Sequence, residues 1–175
     1  MSKNELIFLW GMPGVGKSSM GKKIAKLLEW NWIDLDLYIE NKYNCSITEM
    51  VALNGSDFFR KAEQDCLLEM IQLKHTVVSC GGGTPVYFEN ANTMLESGTC
   101  VYLNAELSFI YSRLIQSNQE RFMFKQDQTE SWKTQLEMVY KDRKPIYELA
   151  PIQVKIPETP IAQIILEVKR GFEKS

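Results

Sequence analysis

Five short apolar segments alternate along the chain with longer segments of helical periodicity. The apolar segments cover residues 5–10, 30–35, 76–79, 99–103 and 152–156, and the first of them, ELIFLW, is almost continuously hydrophobic. A continuous apolar run of this length is typical of a strand that is buried on both faces of a parallel sheet. The pattern therefore predicts five strands.

Helical spacing of apolar residues is found between the predicted strands. Ser46 and Glu49 have the spacing of a capping box, which predicts a helix that starts there and ends near residues 54–55. Strands that alternate with helices imply right-handed crossovers and a parallel sheet covered on both faces, which is an α/β fold. The other helices are predicted over residues 17–29, 56–73, 105–116 and 130–148.

The composition is that of a globular domain. The chain has 175 residues, of which 45% are hydrophobic and 24% charged, so we predict one domain over residues 1–175. Its 20 Lys and Arg against 22 Asp and Glu give a net charge of -2, which argues against a general nucleic-acid binder. No apolar run approaches the ~20 residues of a membrane span. We therefore expect a soluble, cytoplasmic monomer without nucleic-acid or membrane partners.

Cysteine and histidine chemistry is not indicated by the sequence. Cys45, Cys66, Cys80 and Cys100 form no CxxC pair, so we predict reduced, mostly buried thiols and no zinc site. His75 is the single histidine and stands at a predicted helix-to-strand junction, with no catalytic partners visible in the sequence. We therefore assign it a structural role.

The segment GMPGVGKS, residues 11–18, matches the phosphate-binding pattern G-x-x-x-x-G-K-[ST] and lies between a predicted strand and a predicted helix, as the motif requires. Its glycines let backbone amides turn toward an anion, Lys17 can bridge the β- and γ-phosphates, and Ser18 can bind Mg²⁺. An accidental glycine-rich turn is the alternative. The predicted nucleotide-binding residues are Gly14, Val15, Gly16, Lys17, Ser18 and Ser19.

A phosphate-binding loop alone does not distinguish a kinase from a switch or an ATP-driven motor. The chain is short and lacks the NKxD signature with which GTPases read the base. These two features favour a small-molecule kinase over a GTPase.

Asp34 and Asp36 are predicted to follow the second strand, where alternation would point both carboxylates to the same side. Ligands of open α/β sheets bind beyond the carboxyl ends of the strands, where the phosphate-binding loop also lies. One carboxylate could reach Mg²⁺ through water while the other orients an acceptor hydroxyl. The alternative is an N-cap and a solvated charge on the next helix.

Arg60 and Glu63 are three residues apart and share a face of a predicted helix. A surface ion pair would explain them, but Phe58 and Phe59 are expected to tether this turn to the core and to aim Arg60. Glycines 81–83 have a high backbone entropy cost unless a ligand or another chain segment comes close, although a plain loop is also possible.

Taken together, these motifs resemble those of shikimate kinases. GMPGVGKS, IDLD, GSDFFRKAE and VVSCGGG have the order and spacing of that family, and the resemblance covers essentially the whole chain. It implies a three-layer P-loop fold like that of nucleoside-monophosphate kinases, with a five-stranded parallel sheet. It also implies an acceptor-binding helical region over about residues 35–63 and a mobile lid over about residues 116–130.

The resemblance implies ATP-dependent, Mg²⁺-assisted phosphorylation of the 3-hydroxyl of shikimate, on the route to chorismate and the aromatic amino acids. Asp36 would contact the acceptor hydroxyls, Gly82 would contact the ring, and Ser18 and Asp34 would hold Mg²⁺. Arg60 would bind the shikimate carboxylate. Arg143 would bind it too, since DRKPIY looks like the family's R-x-P-x-Y segment.

The sequence departs from the family pattern in the expected lid. The family usually has Arg-Pro-Leu-Leu there, whereas this chain has Arg121 followed by Phe-Met-Phe. Arg121 is the candidate to touch the transferring phosphate, and Arg113 resembles an adenine-stacking arginine. The glutamate that usually follows Gly55 is replaced by Ser56.

Phosphoryl transfer depends mostly on positioning and charge neutralisation. We therefore expect Asp36, with an ordinary pKa of about 3.9, to orient the acceptor hydroxyl rather than to act as a strong base. Lys17, Mg²⁺ and Arg121 would spread the developing charge.

Two other interpretations stay open at this point. One is another small-molecule kinase, such as a gluconate or nucleotide kinase, although two arginines and an aspartate suit a hydroxylated carboxylic acid better. The other is a nucleotide-binding regulatory module.

Overall fold

The computed structural model describes residues 5–116 and 129–173. Its centre is a five-stranded, all-parallel sheet with the strand order β2-β3-β1-β4-β5. This arrangement confirms the predicted α/β fold, and all five predicted strands are found. Their bounds are β1 Leu6–Trp10, β2 Asn31–Asp34, β3 Thr76–Ser79, β4 Thr99–Asn104 and β5 Ile152–Lys155.

Helices connect the strands and cover the sheet. A 3₁₀ turn, Thr84–Val86, follows β3. None of the helices in the described ranges is long and apolar enough to cross a membrane. The helix bounds are α1 Lys17–Leu28, α2 Leu35–Tyr43, α3 Ile47–Asn54, α4 Ser56–Met70, α5 Asn90–Ser97, α6 Leu107–Gln116, α7 Thr129–Tyr147 and α8 Ile161–Glu173.

The core is built around the central strands of the sheet. Every residue of β1 and β3 is buried. Because successive side chains of a strand point to opposite faces, complete burial means that both faces are covered, so the fold has three layers. Such a sheet presents the carboxyl ends of its strands as the natural place for a ligand site.

Local capping signals fix several helix ends. The capping box is present as predicted: the Ser46 hydroxyl accepts a hydrogen bond from the Glu49 amide, and the Glu49 carboxylate accepts one from the Ser46 amide, so α3 begins at Ile47. Helices α5 and α8 were not predicted, and α2 was expected only as part of the helical region over about residues 35–63. Helix α8 had a detectable signal, since its apolar positions recur at helical spacing.

His75 has the structural role predicted for it. Its imidazole contacts the Glu5 carboxylate at 2.5 Å and the edge of the Trp30 ring. Cys66, Cys80 and Cys100 are buried, Cys45 is partly buried, and all four are free. The expected lid and Arg121 lie outside the described residues, apart from the helix ends at residues 116 and 129–130.

Candidate active site

The phosphate-binding loop occupies the connection between β1 and α1. Gly14 and Gly16 have φ angles of 81° and 102°, in the left-handed region that favours glycine. Gly16 is the N-cap of α1, so the first amides of this helix face the space in front of the loop. The loop therefore presents backbone donors and the positive end of a helix to an anion.

Lys17 is buried behind this loop. Its ammonium group donates hydrogen bonds to the carbonyl oxygens of Gly11 at 2.9 Å and Met12 at 3.1 Å. Burial lowers the pKa of Lys17 to about 8, although Asp36 partly opposes this effect. The side chain is thus still mostly protonated at neutral pH and is ready to exchange carbonyl partners for phosphate oxygens.

Ser18 and Asp34 meet at the same end of the sheet. The Ser18 hydroxyl donates to Asp34 Oδ2 at 2.5 Å, and Asp34 Oδ1 caps α2 by accepting from the Leu37 amide at 3.3 Å. The N-cap interpretation is therefore correct for Asp34. The oxygen atoms of Ser18 and Asp34 are hard donors that suit Mg²⁺. Among the described residues, no group of three or more His, Cys, Asp or Glu is arranged so that it could hold a metal ion by itself.

Asp36 lies in the first turn of α2 and not on a strand, so the predicted alternation with Asp34 is wrong. The chain turns into a helix directly after Asp34, because Asp34 caps it. Removal from water, with the nearby Glu63 and Asp34 carboxylates, raises the pKa of Asp36 to about 7. This corrects the expectation of an ordinary pKa. At neutral pH Asp36 can exchange a proton.

Arg60 and Glu63 form an ion pair of 2.6 Å, and the Glu63 side chain is completely buried. The surface-pair interpretation is therefore wrong. Glu63 also accepts a hydrogen bond from the Thr84 hydroxyl at 2.5 Å. Phe59 is buried as expected, but Phe58 is 43% exposed and does not tether the turn to the core.

Glycines 81–83 are needed because charged side chains pack against all three positions. A Cβ atom at Gly81 would lie 2.7 Å from Asp36 Oδ1, and one at Gly83 would lie 2.7 Å from Arg60 Nη1. One at Gly82 would lie 2.7 Å from Pro13 Cδ and 3.1 Å from Arg143 Nη1. The segment is therefore the surface on which the carboxylate and both arginines meet.

Two cavities share a wall at this point. The first, of about 370 Å³, is lined by the phosphate-binding loop, and the second, of about 580 Å³, by α2, α4 and the glycine segment. Both are lined by Pro13, Asp36 and Gly82. Other predicted site residues on the wall of the first are Gly14, Gly16, Lys17, Ser18, Ser19, Asp34 and Arg113, and those of the second are Arg60 and Arg143.

Val15 is the predicted nucleotide residue whose side chain is not on the cavity wall. It is 2% exposed and packs into the core below the loop. Arg113 lies beside the loop, since a Cβ atom at Gly16 would be 3.6 Å from its Nη1 atom.

Sequence reasoning gave no role to Tyr147 or Cys80, although both lie in segments that carry the resemblance, and it did not single out Tyr87. The Tyr147 hydroxyl donates to the Gly82 carbonyl at 2.5 Å, and burial raises its pKa to about 12. Tyr147 could have been found, because it stands four residues after Arg143 and so on the same face of α7. Tyr87 and Cys80 line the second and first cavities, but Tyr87 has no sequence signal.

The phosphate-binding loop lies at the end of a parallel sheet, and a second cavity meets it at a single carboxylate. These two features define a P-loop kinase for a small molecule. The family model described as shikimate kinase matches residues 13–171. The chain therefore belongs to the shikimate kinase family, whose members are ATP-dependent kinases. This confirms the resemblance predicted from the sequence.

Individual relatives agree with the family match. The chain is 41% identical over 128 residues to shikimate kinase of Azobacteroides pseudotrichonymphae, covering 73% of this chain and 75% of that one. It is 32% identical over 169 residues to that of Phocaeicola vulgatus, covering 97% and 93%. The solved structure of shikimate kinase from Acinetobacter baumannii in complex with shikimate has a TM-score of 0.84 at 24% identity, covering 99% of this chain and 95% of that chain.

Proposed function

We propose that this chain transfers the γ-phosphoryl group of ATP to the 3-hydroxyl of shikimate at the wall shared by its two cavities. The observation that carries this proposal is the position of Asp36, which lines both cavities. On one side of it lies the phosphate-binding loop with Lys17, and on the other lie Arg60 and Arg143. A donor and an acceptor bound on these two sides would react beside Asp36.

The second cavity suits a hydroxylated carboxylic acid. Arg60 and Arg143 come from α4 and α7, and both guanidinium groups reach the glycine segment. Arginine meets a carboxylate through two parallel hydrogen bonds, so two such groups can hold one carboxylate firmly. The complex of the Acinetobacter baumannii relative with shikimate supports this choice of acceptor.

Asp36 is placed to hold the acceptor hydroxyl and to take its proton. With a pKa of about 7 it exists in both protonation states at neutral pH, which is the range in which proton transfer is efficient. Because the transition state of phosphoryl transfer is loose, orientation of the hydroxyl remains the larger contribution. Lys17 would stabilise the charge that develops on the phosphate oxygens.

Ser18 and Asp34 would hold Mg²⁺, since their oxygen atoms lie together at the phosphate end of α1. When bound, Mg²⁺ neutralises phosphate charge and orients the phosphate chain. Arg113 would contact the nucleotide from beside the loop, and Arg121 would contact the transferring phosphate.

We also propose that residues 1–175 act as one domain in the cytoplasm, and that the protein is a monomer. Light scattering after size-exclusion chromatography tests the proposed monomer.

A coupled ADP-release assay tests the proposed reaction. With ATP and Mg²⁺, shikimate should support turnover, and gluconate or nucleoside monophosphates should not. Turnover with gluconate or a nucleotide, and none with shikimate, would contradict the acceptor assignment.

The Lys17→Met variant is the matched control for this assay. Removing a preorganised charge from the reacting centre should lower kcat by about 10²–10⁴-fold. Near-normal turnover of the variant would show that the phosphate-binding loop is not where ATP reacts.

A further inference from the structure

Arg60 contacts two aromatic rings as well as a carboxylate. Its guanidinium carbon lies 4.1 Å from the centre of the Tyr87 ring and 4.8 Å from that of the Phe59 ring. Both distances are within the range of cation–π contacts. In the plane of the guanidinium, Nη1 donates to Glu63. The group is therefore fixed in orientation by two rings and one carboxylate.

Tyr87 is itself held by the segment after the glycines. Thr84, at the start of the 3₁₀ turn that leads to Tyr87, donates its hydroxyl to the same Glu63 that pairs with Arg60. The Asn90 side-chain amide donates to the Thr84 carbonyl at 2.9 Å, and the Asn90 backbone amide donates to the Tyr87 carbonyl at 3.3 Å. The contacts therefore connect Arg60 to Glu63, Glu63 to Thr84, and Thr84 through the turn to Tyr87. Tyr87 in turn contacts Arg60.

The geometry points to Tyr87 as a positioning residue that selects for the acceptor's carboxylate by fixing the plane of Arg60. This inference rests on the proposed function, because it takes Arg60 to bind that carboxylate. An aromatic ring occupies the face of a guanidinium, whereas a carboxylate binds its edge, so Tyr87 does not compete with the acceptor. Tyr87 lines the acceptor cavity, and its ring is 41% exposed.

The physical advantage of this stacking is entropic. A free arginine side chain has many rotamers, and part of this conformational freedom is lost when it binds a ligand. Contact with the Phe59 and Tyr87 rings restricts that freedom before the acceptor arrives. Loss of the Tyr87 ring should therefore weaken acceptor binding and leave nucleotide binding unchanged.

Steady-state kinetics of Tyr87→Leu and Tyr87→Phe test the inference. Tyr87→Leu should raise KM for shikimate about 3–30-fold, the range expected for loss of one cation–π contact. It should leave kcat and KM for ATP within about twofold. Tyr87→Phe keeps the ring and should behave as wild type. A Phe variant as impaired as the Leu variant would overturn the stacking role.

Phe88→Leu is the matched control. Phe88 is the next residue and is 55% exposed, and its φ angle of 53° is unfavourable for leucine as it is for phenylalanine. It is absent from the described walls of both cavities, so its substitution should leave all kinetic constants unchanged. An equal rise in KM for shikimate in this variant would show a general effect of the turn and overturn the inference.

A double-mutant cycle separates this inference from the proposed function. Shikimate and its neutral carboxamide analogue are compared on wild type, Arg60→Lys, Tyr87→Leu and the double variant. If wild type uses acid and amide equally well, the carboxylate assignment fails. The two residues act together as inferred if wild type discriminates between acid and amide, and if Tyr87→Leu causes little further loss of activity with shikimate in the Arg60→Lys background. Fully additive losses would mean that Tyr87 does not act through Arg60.

Discussion

At the scale of single residues, the pKa of Asp36 is shifted further from its ordinary value than that of Lys17, the other predicted site residue with a shifted pKa. A carboxyl group with a pKa of about 7 must lose its proton before it can accept one from the acceptor hydroxyl. The kcat/KM for shikimate should therefore rise tenfold per pH unit below pH 7 and level off above it. Initial rates from about pH 5 to 9 would show this limb. An Asp36→Asn variant should not show this rise of kcat/KM with pH. If the variant still shows the rise, another group is responsible for the titration.

The same pKa has a consequence for stability. The unfolded chain ionises Asp36 near its usual pKa of 3.8, and the folded chain does so near 7. Between these values the folded state binds more protons, so this group lowers stability as pH rises from 4 to 7. Asp36→Asn should therefore be more stable than wild type by about 2–4 kcal/mol at pH 8 and equal to it near pH 4.

Urea unfolding at a series of pH values measures this difference. Exposed Glu96 provides the control, since Glu96→Gln should change stability little at any pH. An Asp36→Asn variant that is less stable than wild type at pH 8 would mean that the charged form is favoured in the folded state.

At the scale of elements, the contact of α1 with the sheet decides where Lys17 and Ser18 lie. Gly21 faces β2 and β3, and a Cβ atom there would collide with Ser79 Oγ and lie 2.6 Å from Trp32 Nε1. Ser79 also donates its hydroxyl to the Lys17 carbonyl at 3.1 Å, which ties the start of the helix to β3. The absence of a side chain at Gly21 therefore sets the depth of the phosphate-binding helix.

Gly21→Ala should destabilise the fold by about 1–3 kcal/mol, as expected when a well-packed site is overfilled. It should also lower kcat, because α1 has to move. Gly171→Ala in α8 is the matched control, since its Cβ atom would meet ordinary neighbours at 3.5 Å or more. That change should be neutral or stabilising by up to about 1 kcal/mol from helix propensity. Urea midpoints that fall equally for both would contradict the packing argument.

At the scale of the whole molecule, the two cavities have different lining residues except at their shared wall of Pro13, Asp36 and Gly82. Ligands that bind only the folded state raise its stability by about 2.7 kcal/mol at a hundredfold excess over Kd. For a chain of this size that amounts to about 5–10 °C in Tm. ADP and shikimate should each give such a shift.

The variants Arg60→Lys and Arg143→Lys should separate the two shifts. Both should reduce the Tm shift with shikimate and keep the shift with ADP, because the two arginines line only the acceptor cavity. Thermal melts with each ligand alone measure this. Loss of the ADP shift in either variant would show that the cavities are not independent.

The sequence by itself determined the phosphate-binding loop, the five strands and the capping box of α3. These features depend on local chemistry: consecutive apolar residues make a buried strand, glycines and Lys17 make an anion-binding turn, and Ser46 with Glu49 starts a helix. The resemblance to shikimate kinases predicted that Arg60, Gly82 and Arg143 bind the same acceptor, because the motifs that contain them have the order and spacing of that family.

Only the tertiary structure decided the electrostatics of the site and the role of the glycine segment. Asp36 has a pKa near 7 because α2 and α4 exclude water and bring Glu63 close, and no local pattern reports such distances. The sequence indicated only that a ligand or another chain segment comes close to glycines 81–83, and the structure identifies the neighbours as Asp36, Arg60, Arg143 and Pro13. Tyr87 is separated from Arg60 by 26 residues, and the contact between them exists only because the 3₁₀ turn Thr84–Val86 packs against α4 in the folded chain.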